Sequence, residues 1–322
     1  MANTTNKQSM TTIVVRKKIA LNTVQTQRKV REYLAASLAK NTRLAYQSDI
    51  AHFLQSGGSI PATPQCVAAY LATYAQTLSV ATLTRRVVAI SRIHMAQGLN
   101  SPTKSEIVTA TLRGIRRING SAQRQVAPLL KADMIKLVQG LTDIKGLRDK
   151  ALLLIGFAGA FRRAELVALD FEDVRFVTEG IVIRLRRSKT DQCGHGRDVA
   201  IPYVKSRYCP VRALKVWLTK SGIKSGALFR RVNRYQQVME RGLTPQMVAL
   251  IVKQRAADAG LDSTLYSGHS LRAGFVSSAT RSGVSSWKIR QQTAHKSDVM
   301  LQRYIRDSQL FIDHPVGKIW SG

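Results

Sequence analysis

Apolar positions recur at three- and four-residue spacing along most of the chain, the period of an α-helix with one buried face. From Arg28 to Asn119 this spacing predicts five helices. They are expected over about 28–39, over 42–55 with Asn41 or Thr42 as cap, and over 64–77 with Thr63 capping and Pro64 in the first turn. Two more follow, over 80–97 ending near Gly98 and over 104–118 ending at Gly120. Val67, Tyr70, Leu71, Val87, Val88, Ile90 and Ile93 supply their apolar faces, while Arg85, Arg86 and Arg92 fall on or beside the exposed ones.

The helical rhythm stops at Gly120–Val126, which has no large apolar residue before its end and reads as a linker. Beyond it, helices are predicted over 132–140 and 144–161, then near 209–220, 245–259, 270–282, 284–293 and 298–306. Between them the period changes to two. Gly180–Leu185 and Val199–Val204 read as strands, and the polar, glycine-rich stretch Ser188–Gly196 reads as the end of their hairpin. The expected organisation is a flexible N-terminus (1–25), an all-α domain (26–120), a linker (121–130) and a second domain (131–322). The fold class is mainly α, with a small antiparallel β-sheet in an α+β C-terminal domain.

Charge narrows the partner. The 322 residues carry 50 Lys and Arg against 19 Asp and Glu, a net +31. Residues 1–130 hold 17 basic and 3 acidic residues, and residues 131–322 hold 33 and 16, so both expected domains are strongly basic. Excess positive charge in both halves points to a polyanion such as duplex DNA or RNA. Aromatic residues make up only 6%, which argues against a stacking-based single-strand binder. Cys66, Cys193 and Cys209 are odd in number and widely spaced, and no Cys-x-x-Cys pair suggests zinc. The longest apolar run, Ala151–Phe161, is short of the ~20 residues that cross a bilayer, and Met1–Met10 is polar. A soluble, cytoplasmic, nucleoid-associated protein is expected, with no membrane partner.

Six residues of the second half carry candidate chemistry. Arg162 follows the buried helix directly, with Glu165 three residues on, and singly reads as a helix-end ion pair. Lys189 sits at the hairpin end. His269 and Arg272, three apart, share one helical face. His295 and Tyr304 lie nine residues apart. Singly, each has an ordinary structural explanation. Together they supply what reversible phosphodiester cleavage needs without metal or cofactor. Tyrosine can form a covalent intermediate, provided that cations favour the phenolate or its proton is removed. Arginine forks neutralise the charge on the transferring phosphorus, and a mobile lysine can protonate the leaving oxygen.

In order and spacing this set resembles the tyrosine recombinase, or phage integrase, family. Arg162-Arg163-Ala164-Glu165-Leu166 is similar to the family's first arginine box, Lys189 in Arg187-Ser188-Lys189-Thr190 to its hairpin lysine, and His269-Ser270-Leu271-Arg272 to its His-x-x-Arg box. His295 and Tyr304 match its His/Trp position and its nucleophile. The likeness runs from about residue 28 to the C-terminus, with one departure: Ala273-Gly274 stands where many integrases have His-Thr. The resemblance implies that Tyr304 attacks the scissile phosphate, giving a 3′-phosphotyrosyl bond and a free 5′-hydroxyl. Arg162, Arg272 and His295 would stabilise charge, Lys189 would be the general acid, His269 would take or position the tyrosine proton, and Glu165 would orient the site. It further implies that the two domains clamp the duplex, that a homotetramer assembles on DNA at an inverted-repeat site, and that the apolar tail Leu310, Phe311, Val316, Ile319 and Trp320 (segment 310–320) docks on an adjacent subunit. Thr42, Arg43, Arg85 and Arg86 match helices that enter the major groove in this layout, and Gln246 is placed to read an adenine edge.

Three activities fit these residues. One is recombination, for plasmid dimer or transposon cointegrate resolution or for integration and excision of an element. A second is type IB topoisomerase action, which shares the chemistry. The third is DNA binding with a vestigial site. The compact helical N-terminal half and the apolar tail favour the first. No extra arm-binding domain is read at the N-terminus, which favours simple resolution.

Overall fold

Side-chain caps decide where many of the helices begin. In the computed structural model, residues 23–121, 126–188, 191, 194–295, 297, 301 and 315–320 are described. Thr23 caps α1 (Val24–Ala36) by accepting the Thr26 N–H, Thr63 caps α3 (Pro64–Thr73), and Ser79 caps α4 (Val80–Ala96). Helix α2 (Lys40–Gln55) is one of several that begin without such a cap. It starts before Asn41 and Thr42, after Ala39, which makes no side-chain cap. The helix expected from 104 is two elements: a 3₁₀ turn, Pro102–Lys104, and α5 (Glu106–Asn119), parted by extended Ser105.

The chain divides into two compact units, Met1–Arg124 and Gln125–Gly322. In the first, α3 lies on α5 and α2 on α4. Their shared core contains Phe53, Val67, Leu71, Leu83, Ile90 and Val108, all fully buried.

The second unit forms around α7 (Ile144–Ala158), in which every residue from Ala151 to Ile155 is buried. A helix apolar on all sides has to sit at the centre of its domain. It packs against α6 (Lys131–Val138), α9 (Pro210–Ser221) and α11 (His269–Arg281). It ends three residues earlier than the sequence suggests, because Gly159 caps it and Ala160 turns left-handed at φ 49°. The remaining α-helices among the described residues are α8 (Arg163–Val167), α10 (Pro245–Asp258), α12 (Ser286–Thr293) and α13 (Pro315–Trp320).

Among the described residues two antiparallel sheets are present where one was expected. The first has the order β1 (Val174–Val177), β2 (Gly180–Leu185), β3 (Arg197–Pro202), with Val182 opposite Ala200. Ile181 and Ile183 of β2, and Val199 and Ile201 of β3, point into the core. The second pairs β4 (Arg230–Val232) with β5 (Val238–Gly242). Short, charged and half-exposed, β1, β4 and β5 lack the period-two signal that marks β2 and β3. Among the described residues, no helix is long and apolar enough to cross a membrane.

Candidate active site

The centre of the site is Arg272, on the second turn of α11 and almost fully buried. Its Nη1 donates to the Ala160 carbonyl at 2.7 Å, and its Nη2 donates to the Thr293 carbonyl at 2.6 Å. Both acceptors depend on unusual backbone. Ala160 is itself left-handed, and Thr293 precedes Ala294, a left-handed residue (φ 53°) that ends α12. Each such alanine costs roughly 1–2 kcal/mol against a right-handed turn, so the surrounding packing holds the two carbonyls on the guanidinium. A buried arginine satisfied this way keeps its charge and a fixed orientation.

Arg272 also reaches His295, with Nη2 to Nε2 at 3.1 Å. The tautomer follows from the neighbours. The Thr293 hydroxyl gives its proton to the Ile289 carbonyl at 2.7 Å, so its oxygen accepts from His295 Nδ1 at 2.8 Å. Nδ1 therefore carries the hydrogen, and Nε2 accepts from Arg272. Burial, then Arg272, Arg162 and His269, push the His295 pKa down to about 4. The ring is neutral at physiological pH, and both arginines and His269 lie close enough to act on it.

Arg162 precedes α8. Its Nη1 donates to Glu165 Oε1 at 2.6 Å, while its own backbone N–H donates to Glu165 Oε2 at 2.8 Å. Glu165 thus caps the helix start and fixes the guanidinium with one buried carboxylate. Gly268 permits the approach of α11: a Cβ there would lie 2.3 Å from Arg163 Cγ and Cδ. His269, the first residue of α11, is exposed, and its N–H donates to Ser267 Oγ at 3.2 Å.

The hairpin end is organised by Asp191. Its carboxylate accepts the backbone N–H groups of Gly194, His195 and Gly196, which holds its pKa below the usual carboxylate range. Ser188 and Asp191 form a bridge around the expected lysine position. Lys189, Tyr304, Leu310 and Phe311 lie outside the described residues.

The expected DNA-reading residues separate into two groups. Thr42 and Arg43, in the first turn of α2, are half-exposed, and Gln246, in the first turn of α10, is exposed. Arg85 is exposed but bound to Asp49. Arg86 corrects the expectation. It is 8% exposed, donates to the Tyr70 hydroxyl and to His52 Nδ1, and lies 3.5 Å from Asp49. With α2 packed over its face of α4, Arg86 is an interior ion-pair residue and does not lie on an exposed face.

Two neighbours of the site escaped the sequence reading. Gln292 donates to the Ala158 carbonyl at 2.9 Å, tying α12 to the end of α7. Arg197 opens β3 on the same inward register as Val199 and Ile201, and donates to the Gln292 carbonyl at 3.0 Å. Among the described residues its Nε and Nη2 have no hydrogen-bond partner, and burial makes its proton easier to lose than usual. An arginine in phase with inward valine and isoleucine was the available signal. It was lost because the strand was expected to begin at Val199.

Among known proteins, the model of the phage integrase family matches residues 124–310. The chain is 40% identical over 305 residues to an integrase/recombinase XerD homolog of Selenomonas ruminantium, covering 91% of this chain and 89% of the relative. It is 25% identical over 268 residues to the Cre recombinase of Escherichia phage P1, covering 77% of each. Among solved structures, the XerH site-specific recombinase bound to a palindromic difH substrate, in a post-cleavage complex, has the same fold. The TM-score is 0.60 at 20% identity, over 81% of this chain and 73% of that one.

Proposed function

The chain belongs to the phage integrase family and is a site-specific DNA recombinase, and on that premise we propose that it breaks and rejoins duplex DNA through a 3′-phosphotyrosyl bond at Tyr304. The observation that carries this reading is the convergence of Arg272, His295, Arg162 and Glu165. Two guanidinium groups are held by buried acceptors, with a neutral imidazole against one of them. Such fixed donors favour the charge that develops on phosphate oxygens in the transition state more than they favour the ground state.

Tyr304 attacks the scissile phosphorus and the 5′ oxygen leaves, taking a proton from Lys189. His269 receives or positions the phenolic proton. Glu165 keeps the Arg162 fork aligned and does not react. The phosphodiester bond energy stays in the phosphotyrosyl link, and the 5′-hydroxyl of a partner duplex reverses the step through a Holliday junction. In this reading 26–120 is the core-DNA-binding domain, 121–130 the linker and 131–322 the catalytic domain.

Strand exchange between two duplexes takes four active sites, and so a homotetramer on a site of two inverted half-sites. The exposed apolar face of α13, with Trp320 at 84%, supports docking of segment 310–320 on an adjacent subunit. The biological event is plasmid dimer or transposon cointegrate resolution, or integration and excision of an element. A nicked suicide duplex tests the chemistry: wild-type protein gives a covalent adduct, and Tyr304→Phe gives none. A plasmid carrying two sites then yields recombinant circles. An adduct that persists in Tyr304→Phe, or cognate DNA that is only relaxed, overturns the proposal.

A further inference from the structure

Asp49 and Arg85 form a side-on pair at the surface of the first unit. Asp49 lies on α2, two turns beyond Thr42 and on the same face, and its side chain is 2% exposed. Arg85 reaches it from the second turn of α4 and remains 48% exposed. The Arg85 Nε donates to Asp49 Oδ2 at 2.7 Å and its Nη2 to Oδ1 at 2.9 Å. A guanidinium has five N–H bonds in a rigid plane. The carboxylate takes one from Nε and one from Nη2. The other Nη2 hydrogen and both Nη1 hydrogens face away from it, and no other side chain or carbonyl among the described residues accepts them. Two of these three are parallel, at the spacing of the O6 and N7 acceptors on the major-groove edge of guanine.

We propose that Arg85 reads a guanine in the recombination half-site and that Asp49 is its positioning residue. The inference rests on the recombinase reading and adds which residue discriminates, which base it selects and what holds it. Two considerations choose the base edge over a phosphate. A phosphate contact depends on net positive charge and on counterion release. Paired with Asp49, Arg85 brings little net charge but keeps its aligned donors, and a neutral guanine edge needs only the donors. Arginine is also a long, rotamer-rich side chain, and fixing it before DNA arrives removes an ordering cost from binding. The neighbouring buried Arg86 lies 3.5 Å from the same carboxylate and packs beside the pair.

The test is selection of bound sequences from a randomised duplex pool by the full-length protein. Wild type is expected to enrich a half-site with one position strongly biased to guanine. Arg85→Ala and Arg85→Lys both lose about 10- to 100-fold of discrimination at that position and at no other, with the dependence of affinity on salt unchanged. Lysine keeps the charge but lacks the fork, so equal loss in the two variants identifies geometry as the cause. Asp49→Asn lowers the same preference several-fold, and adding Arg85→Ala to it causes no further loss. In the DNA-free protein the Arg85 Nε–H resonance is protected from exchange in wild type and not in Asp49→Asn. A uniform drop in affinity for all sequences in Arg85→Ala, with a shallower salt slope, makes Arg85 a phosphate contact and overturns the proposal. So does a consensus that Arg85→Ala leaves unchanged. Should Asp49→Asn fail to fold, the two Arg85 variants, altered at an exposed side chain, still decide the base-reading role. A wild-type protein that enriches no sequence overturns the recombinase reading itself.

Discussion

The guanidinium of Arg272 donates to Nε2 of His295 across 3.1 Å, while the Ala160 and Thr293 carbonyls hold the same group from two other chain segments. One side chain thus closes the ends of α7, α11 and α12 around a single point. Charge placement and folding of the second unit depend on the same contacts.

Replacement of Arg272 by lysine keeps the charge and removes the fork. An ammonium cannot satisfy both carbonyls and still face a phosphate in a fixed orientation. Covalent adduct formation on a suicide duplex is expected to fall roughly 10²- to 10³-fold, as for loss of one preorganised donor. Affinity for duplex DNA, measured by gel shift, is expected to change far less.

His295 makes stability depend on pH in a defined window. Its folded pKa, about 4, lies below the unfolded value of 6.5, so the unfolded chain binds the proton more readily. The contribution of the neutral ring is complete above about pH 6.5 and is lost as pH falls toward 4. Near pH 5, unfolding should take up about one proton through this residue. Denaturant titrations of wild type and His295→Gln at pH 7.5 and 5 check it: the stability difference between the two proteins should shrink at the lower pH.

Gly274 and Gly114 should respond oppositely to alanine. A Cβ on Gly274 would stand 1.8 Å from the Leu129 carbonyl oxygen, because residues 127–129 run along α11 with the Leu129 N–H bonded to Ser270. Gly274→Ala should cost at least ~1–3 kcal/mol by overpacking. Gly114, within α5, has nothing within 4 Å of the same atom, so Gly114→Ala should add about 0.5–1 kcal/mol of helix stability. Urea denaturation of each variant measures both.

The apolar end of α13 bears on assembly. Ile319→Asp together with Trp320→Ala should leave binding to a single half-site unchanged and strongly reduce the fraction of complexes with four protomers on paired sites. Crosslinking and sedimentation on DNA of one or two half-sites read the two effects separately. Equal weakening on a single half-site would place these residues in the monomer fold.

Gly274 stands where many integrases have Thr after the His-x-x-Arg box, and here the Leu129 carbonyl leaves no room for a Cβ. The sequence shows the glycine, but the backbone it admits comes from residues 127–129, which local pattern cannot pair with it. Arg86 teaches the same lesson in reverse. Helical spacing places it beside Arg85 on or beside an exposed face, yet the packing of α2 on α4 turns it inward to Asp49 and Tyr70.

By itself, the sequence determined the helical architecture, the β2–β3 hairpin, the basic character of both halves and the identities of Arg162, Glu165, His269, Arg272 and His295 as candidates. The first three are carried by local periodicity and charge, and the candidates by their joint chemistry and the resemblance of their short motifs to the family's. Tertiary structure alone decided that Arg272 meets Ala160 and Thr293 across 112 and 21 residues, that His295 is neutral, and that Arg197 joins the site. Burial and the meeting of distant carbonyls set a side chain's protonation and orientation, and neither is written in the residues beside it.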